Sequence, residues 1–201
     1  MNKNLLKRIV LTSAIAVLGI STSFAALVME RDQSVDTAPS VGMYRFEVPV
    51  ELQGTYNSAG VANLTASMEK EPNTLSMNVA HVKGNPSESY VVEIYKDLAA
   101  IETHRKSDHY QVFVNEVGSK LTNRKMYDVQ SVLLFEKKDA LSIVNDGKAV
   151  VTLTEFTVDS NEIDTVQRQY QLDMERAVRD DAGYKAGYVL RERNAKNRWY
   201  V

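Results

Sequence analysis

The order of strand-like and helix-like patterns between Val41 and Lys137 constrains the fold of this chain more than any other feature. Alternating or β-branched segments predict strands at Met43–Val48, Leu75–Val82, Tyr90–Tyr95 and Val129–Phe135. Apolar residues at helical spacing predict one helix over Leu52–Met68 and another from an N-cap at Asp97 to Val117, restarting at Ser107 or Asp108. The resulting β-α-β-β-α-β order predicts an α+β fold with a ferredoxin-like antiparallel sheet and its helices on one face.

A partial second copy of this pattern follows. A shift of 109 residues lays Glu71–Leu75 on Asp180–Tyr184 and Ser89–Val92 on Arg198–Val201. The segment Val150–Val158 is strand-like, and apolar residues at helical spacing follow it at Ile163, Val166, Tyr170, Met174 and Ala177. A sheet with its helices on one face leaves the other face bare, so we expect self-association or intramolecular pairing of the two repeats.

The second copy reaches only its third strand at Val201. Half a domain cannot bury its own sheet. We therefore expect either that the sequence is a truncated version of a longer protein or that the second copy docks on the first as an incomplete partner. The liability of an unpaired edge strand favours the first alternative.

The first 25 residues have the layout of a cleaved secretory signal. Three basic residues precede the apolar run Ile9–Ile20, and Ser23 and Ala25 are small residues where a signal peptidase cleaves. As a helix, the run would extend roughly 18 Å against a hydrocarbon core of about 30 Å. We predict a signal peptide at 1–25, export to the periplasm or the medium, and no stable membrane insertion after cleavage.

We divide the rest into a linker at 26–40, a complete domain at 41–138, a linker at 139–148 and the incomplete repeat at 149–201. The chain has 24 basic and 26 acidic residues, and the leader holds three of the basic and none of the acidic ones, so the mature chain carries a formal charge of −5. This charge argues against binding to nucleic acid. The absence of cysteine excludes disulfides and thiolate metal sites.

Four segments in order resemble the antibiotic biosynthesis monooxygenase (ABM) family, especially its quinol monooxygenase-like members. They are Glu71–Leu75, Tyr90–Asp97, Ala99–His104 and Ser107–Phe113. The resemblance implies a dimeric α+β barrel, in which two domains pack face to face. The family includes cofactor-free oxygenases of quinols and phenols, haem-degrading enzymes and proteins of unknown activity, so the fold alone does not fix the function.

A cofactor-free oxygenase of this type needs a base that titrates near neutrality inside an apolar pocket, and His104 and His109 are the candidates. Tyr95, Tyr110 and Phe113 could form the walls of a site for a small aromatic ligand. The alternative is that both histidines cap helices or face solvent. Glu93 is a candidate acid or base if it is buried, and otherwise points to solvent or pairs with a basic residue.

We expect neither a metal nor a cofactor. On a continuous helix His104 and His109 would lie about 140° apart. A break at Ser107–Asp108 would change this, but no further His or Cys completes a ligand set. Haem-degrading relatives carry an axial histidine where this chain has Val114, and an early-strand asparagine that Phe46–Val48 lacks.

These observations predict an exported monooxygenase-like protein that oxidises a small quinol or phenol with dioxygen. The alternative is a non-catalytic small-ligand-binding or stress-associated domain on the same fold.

Overall fold

Ten strands and four α-helices make up the part of the chain that the computed structural model describes, which is residues 7–15, 27–28, 39–137 and 149–201. The strands are β1 (Lys7–Ile15), β2 (Leu27–Val28), β3 (Ser40–Glu47), β4 (Thr74–Val82), β5 (Asn85–Tyr95), β6 (Thr122–Tyr127), β7 (Val129–Glu136), β8 (Val150–Thr157), β9 (Ala186–Glu192) and β10 (Arg198–Tyr200). The helices are α1 (Gln53–Lys70), α2 (Leu98–Lys106), α3 (Asp108–Glu116) and α4 (Ile163–Asp180).

The first half of the chain forms the predicted ferredoxin-like unit. Its four antiparallel strands lie in the order β4-β5-β3-β6. The Asp97 side chain accepts a hydrogen bond from the Ala100 amide and begins α2, and Ser107 caps α3 in the same way. Helical residues such as Tyr56, Leu64 and Ala100 pack with Val79 and Val91 of the sheet in one buried cluster, so the helices cover a single face.

The strand that closes this unit is not the predicted one. β6 pairs with β3, whereas Val129–Phe135, which does form a strand, lies in β7 and pairs with β9 of the second half. Residues 122–126 are all exposed, so β6 lacks the alternation by which a half-buried strand is recognised. Its backbone hydrogen bonds to β3 hold it at the sheet edge.

The second half repeats the first three strands and the first helix of this order. β8, α4, β9 and β10 follow one another, and their strands lie in the order β9-β10-β8. A shift of 109 residues carries α1 to 162–179, within one residue of α4. Trp199, Val189 and Phe135 are fully buried beneath Met174 of α4. The structure therefore contains the predicted C-terminal half repeat.

A third buried cluster joins the two halves through the sheet faces that turn away from the helices. Its members are Met43, Ala80, Tyr90, Ile94, Tyr127, Val129, Leu134, Leu190 and Tyr200. The rings of Tyr127 and Tyr200 meet edge to face with their centroids 5.4 Å apart. The face that the helices of the first half leave bare is thus covered by strands of the second half.

The backbone of β1 lies between the two half-sheets, where Leu11 is opposite both Val82 of β4 and Val151 of β8. β1 belongs to the predicted leader, and the leader's other residues, 1–6 and 16–25, lie outside the described residues. The linker at 139–148 lies outside them too. Cleavage after Ala25 stays a prediction. Among the described residues, no helix combines the length and the apolar character needed to cross a membrane.

The Tyr127–Tyr200 contact provides a test of how the halves dock. We expect Tyr127→Leu and Tyr200→Leu each to lower the free energy of unfolding, with a coupling of about 1 kcal/mol in the double-mutant cycle. Urea denaturation of the four proteins measures this. Tyr170→Leu is the matched control, because Tyr170 packs in the α4 cluster and should be additive with Tyr127→Leu. Additivity of the Tyr127 and Tyr200 variants would contradict the docking.

Candidate functional site

A cavity of about 160 Å³ lies between the first-half sheet and its three helices. Most of its lining is aromatic or aliphatic: Tyr44, Phe46, Tyr56, Leu64, Val79, Val91, Tyr95, Ile101, Tyr110 and Phe113. Its polar lining consists of Asn63, Glu93, His104 and Arg105. Its size is close to that of the roughly 150 Å³ apolar cavity known to accept benzene. A pocket with apolar walls and a few convergent polar groups is the usual form of a small-molecule site.

The structure places five of the six predicted site residues on this cavity. Tyr95, Tyr110 and Phe113 contribute to its walls, and Glu93 and His104 to its polar lining. The His104 ring meets Tyr110 edge to face at 4.8 Å and lies 5.7 Å from Tyr95. His109, the sixth, is not among the lining residues; it lies behind His104, with 6.0 Å between the two ring centroids.

His104 is held by its Nδ1 nitrogen. Nδ1 lies 3.2 Å from both carboxylate oxygens of Glu71 and 3.2 Å from Ser67 Oγ. The Ser67 hydroxyl donates its proton to the Asn63 carbonyl at 2.8 Å. Both neighbours of Nδ1 are therefore acceptors, so Nδ1 must carry the proton. In a neutral imidazole this leaves Nε2 with a lone pair.

His109 binds the same carboxylate from the other side. Its Nε2 lies 2.7 Å from Glu71 Oε1 and 3.0 Å from Ser107 Oγ, and Ser107 donates its own proton to the His104 carbonyl. Nε2 is therefore the donor to Glu71. The backbone at Ser107 is extended and separates α2 from α3. The expectation that the two histidines diverge assumed one continuous helix. Because the helix breaks at Ser107, both rings can face Glu71.

The surroundings keep His104 neutral and Glu71 ionised. Burial lowers the pKa of His104, and the Glu71 carboxylate only partly offsets this. Burial alone would raise the pKa of Glu71, but the hydrogen bond from Thr74, the electrostatic interaction with His104 and the hydrogen bonds from His104 and His109 outweigh it, so the pKa is lowered. The side chain of His104 is 2% exposed, and that of Glu71 7%. The pair is a buried carboxylate bound to a neutral imidazole.

Two buried acceptors at the cavity lack partners among the described residues: His104 Nε2 and Asn63 Oδ1. Buried polar atoms in native proteins are nearly always hydrogen-bonded, so unpaired ones require an explanation. His104 and Asn63 both line the cavity, and Nδ1 of His104 faces Glu71 and Ser67, so Nε2 is the ring nitrogen left without a partner among the described residues.

Glu93 is the acidic residue in the lining of the cavity. Burial raises its pKa to about 7, although the hydrogen bond from Tyr95 and the charge of Arg105 lower it. The Tyr95 hydroxyl donates to Glu93 Oε2 at 3.0 Å. Arg105 is an exposed residue that also lines the cavity. Near neutral pH, Glu93 therefore exchanges a proton readily beside a cationic side chain.

Sequence reasoning missed Glu71 as a functional residue. Glu71 occupies the C-cap of α1, where the helix dipole disfavours a negative charge. A buried acidic residue at that end of a helix needs a compensating interaction, but the sequence did not show that Glu71 is buried. Ser67 and Asn63 gave no signal either, because polar residues on a weakly amphipathic helix usually face solvent.

Comparisons with known proteins agree with this fold. The family model described as "Antibiotic biosynthesis monooxygenase" matches residues 41–116. A candidate monooxygenase from Lactobacillus acidophilus superposes with a TM-score of 0.66 at 16% identity, covering 81% of this chain and 74% of its own. A second candidate monooxygenase, from Fusobacterium nucleatum, superposes with a TM-score of 0.63 at 22% identity. The match covers 82% of this chain and 74% of that one. At these identities the two structures establish the fold alone. No curated protein sequence matches the chain.

Glu93 makes a testable contribution to stability. Its folded pKa is raised above the ordinary value of 4.5. The stabilisation by its neutral form is therefore fully present below about pH 4.5 and is lost as the pH rises through 7, by up to about 3 kcal/mol. In urea denaturation, we expect Glu93→Gln to gain stability over the wild type between pH 5 and 8.

The difference between the two proteins is the quantity to measure, because the lowered pKa values of His81 and His104 act in the opposite direction. Glu102→Gln, which alters an exposed carboxylate on α2, is the control and should follow the wild type at every pH. A Glu93→Gln protein that also follows the wild type would contradict the buried, neutral carboxyl.

Proposed function

We propose that this chain, whose residues 41–116 are an antibiotic biosynthesis monooxygenase domain, oxidises a one-ring quinol or phenol with dioxygen and without a cofactor. The observation that carries the proposal is His104 Nε2, a buried imidazole nitrogen without a partner among the described residues, on the side of the ring opposite Glu71. The apolar cavity beside it supports a ring-sized substrate.

His104 acts as the base in the first step. Its Nε2 accepts the proton of a substrate hydroxyl, and the Glu71 carboxylate stabilises the imidazolium that forms through the bond at Nδ1. The carboxylate also fixes the ring and its tautomer, as a third group does in other base-assisted sites. The product of this step is a phenolate in a largely apolar cavity, which is a stronger reductant than the phenol.

Dioxygen then takes its electrons from the substrate alone. The phenolate transfers one electron to dioxygen, and the resulting radical pair forms a carbon–oxygen bond at the ring. Cleavage of the oxygen–oxygen bond leaves one oxygen on the ring and releases the other as water. The balance is quinol plus dioxygen to hydroxyquinone plus water, so no external reductant is needed.

The release of water consumes a proton, and Glu93 is placed to supply it. Glu93 lines the cavity and has a pKa of about 7, so both its protonated and ionised forms are present at neutrality. A pair of titratable groups with different environments is the usual arrangement for separate acid and base roles. The Arg105 guanidinium at the same cavity would stabilise the negative charge on reduced dioxygen.

We place this reaction outside the cytoplasm, on the basis of the signal-like leader at 1–25. The competing function is a binding domain that holds a phenolic ligand in the cavity without oxidising it. The two differ in whether dioxygen is consumed, so one experiment separates them.

Oxygen uptake by the full chain with trimethylhydroquinone tests the proposal, with heat-denatured protein as the blank. We expect His104→Ala to lower kcat by at least about a hundredfold, since general-base catalysis contributes roughly 10²–10⁴ in rate. His81→Gln is the matched control, because His81 does not line the cavity, and it should retain the wild-type rate. Equal rates for the wild type and His104→Ala would remove His104 from the mechanism.

Oxygen-18 gas identifies the reaction class. We expect one labelled oxygen atom in the organic product by mass spectrometry, whereas simple oxidation to the quinone would yield hydrogen peroxide and an unlabelled ring. If uptake does not exceed the blank while calorimetry detects binding of 4-ethylphenol, the protein is a binding domain and the oxygenase proposal is wrong.

A further inference from the structure

We infer that Glu71, His104 and His109 form a binding site for a divalent cation of the zinc type, directly behind the cavity. One carboxylate oxygen and two imidazole nitrogens, His104 Nδ1 and His109 Nε2, lie within 4.8 Å of one another. The sequence argued against a metal because the two histidines would diverge on one helix and lacked a further ligand. The break at Ser107 brings the rings together, and Glu71 supplies the third ligand.

The chemistry of the three ligands fits zinc. Two imidazoles and a carboxylate are a common ligand set for Zn²⁺, with a water molecule completing the coordination. The Glu71 side chain is 7% exposed, so its carboxylate offers an oxygen ligand in a buried position. Calcium and magnesium prefer oxygen ligands, so the two nitrogens disfavour them.

The surroundings have the features of a built site. Thr74 donates a hydrogen bond to Glu71 Oε2 at 2.6 Å, which fixes the carboxylate as outer-shell partners do in metal sites. The hydroxyl oxygens of Ser67 and Ser107 lie at 3.2 and 3.0 Å from the ligating nitrogens of His104 and His109. The His109 side chain is 16% exposed, which gives an ion access from solvent.

Occupation would change what His104 presents to the cavity. An ion bound at Nδ1 replaces the proton there, and a neutral imidazole then carries its proton on Nε2. The nitrogen at the cavity changes from a hydrogen-bond acceptor to a donor, and it can no longer act as a base. This consequence rests on the proposed function, whereas the metal site itself does not.

Zinc binding to the full chain, purified without a histidine tag, tests the site by competition with a chromophoric chelator. We expect one zinc ion per chain, with affinity reduced at least about tenfold in His109→Ala and in Glu71→Gln. His109 is partly exposed and Gln is close to Glu in shape, so both variants should fold, which circular dichroism checks. His81→Gln, which changes the one histidine outside the cluster, should keep the wild-type affinity.

Cobalt(II) gives a readout independent of activity, because ligation by two imidazoles and a carboxylate produces a visible absorption band that His109→Ala should abolish. Unchanged zinc affinity in His109→Ala and Glu71→Gln, or an equal loss in His81→Gln, would overturn the site. In the oxygen-uptake assay, zinc should inhibit uptake by the wild type, and addition of a chelator should restore that uptake. If uptake is absent throughout, the binding experiments still decide the site.

Discussion

The Glu71 carboxylate is the interaction on which the helical layer of the first half depends. It lies at the C-terminus of α1 and accepts hydrogen bonds from Thr74 at the start of β4, from His104 of α2 and from His109 of α3. A buried carboxylate is costly unless its oxygens are hydrogen-bonded. Because its donors come from three further elements, the arrangement of those elements around the end of α1 is fixed together with the orientation of the catalytic candidate His104.

The sequence predicted the fold where local patterns reflect burial. The apolar spacing of α4 and the β-branched residues of β5 identified those elements correctly. Asp97 was predicted as a cap because capping is a contact within one turn, and Ser107 was one of the two residues predicted to restart the helix. β6 was missed because its exposed side chains carry no period. β7 was recognised as a strand but assigned to the wrong sheet, because an apolar segment does not encode which of two strands it pairs with.

The candidate site, like the fold, was predicted from sequence where local apolar patterns reflect burial. The aromatic walls at Tyr95, Tyr110 and Phe113 could be predicted because large apolar residues on the inner faces of an amphipathic unit must meet. The polar side was predicted only in part: Glu93, His104 and His109 were candidates, whereas Ser67 and Glu71, which lie more than 30 positions from His104 in sequence, were not. Glu71 stood among the residues that resemble the family, but nothing local indicated that its carboxylate is buried against two histidines.

The cluster of Glu71, His104 and His109 cannot hold its two shared protons and a cation at the same time, because both would occupy the same nitrogen atoms. When His104 Nδ1 and His109 Nε2 carry protons, both donate hydrogen bonds to the Glu71 carboxylate, and His104 Nε2 keeps a lone pair. When a cation binds Glu71, His104 and His109 instead, each neutral imidazole carries its proton on its other nitrogen. His104 Nε2 then becomes a hydrogen-bond donor. Because His104 lines the cavity and shares Glu71 with His109, occupation of the cluster by an ion would change the hydrogen bonding that His104 offers within the cavity.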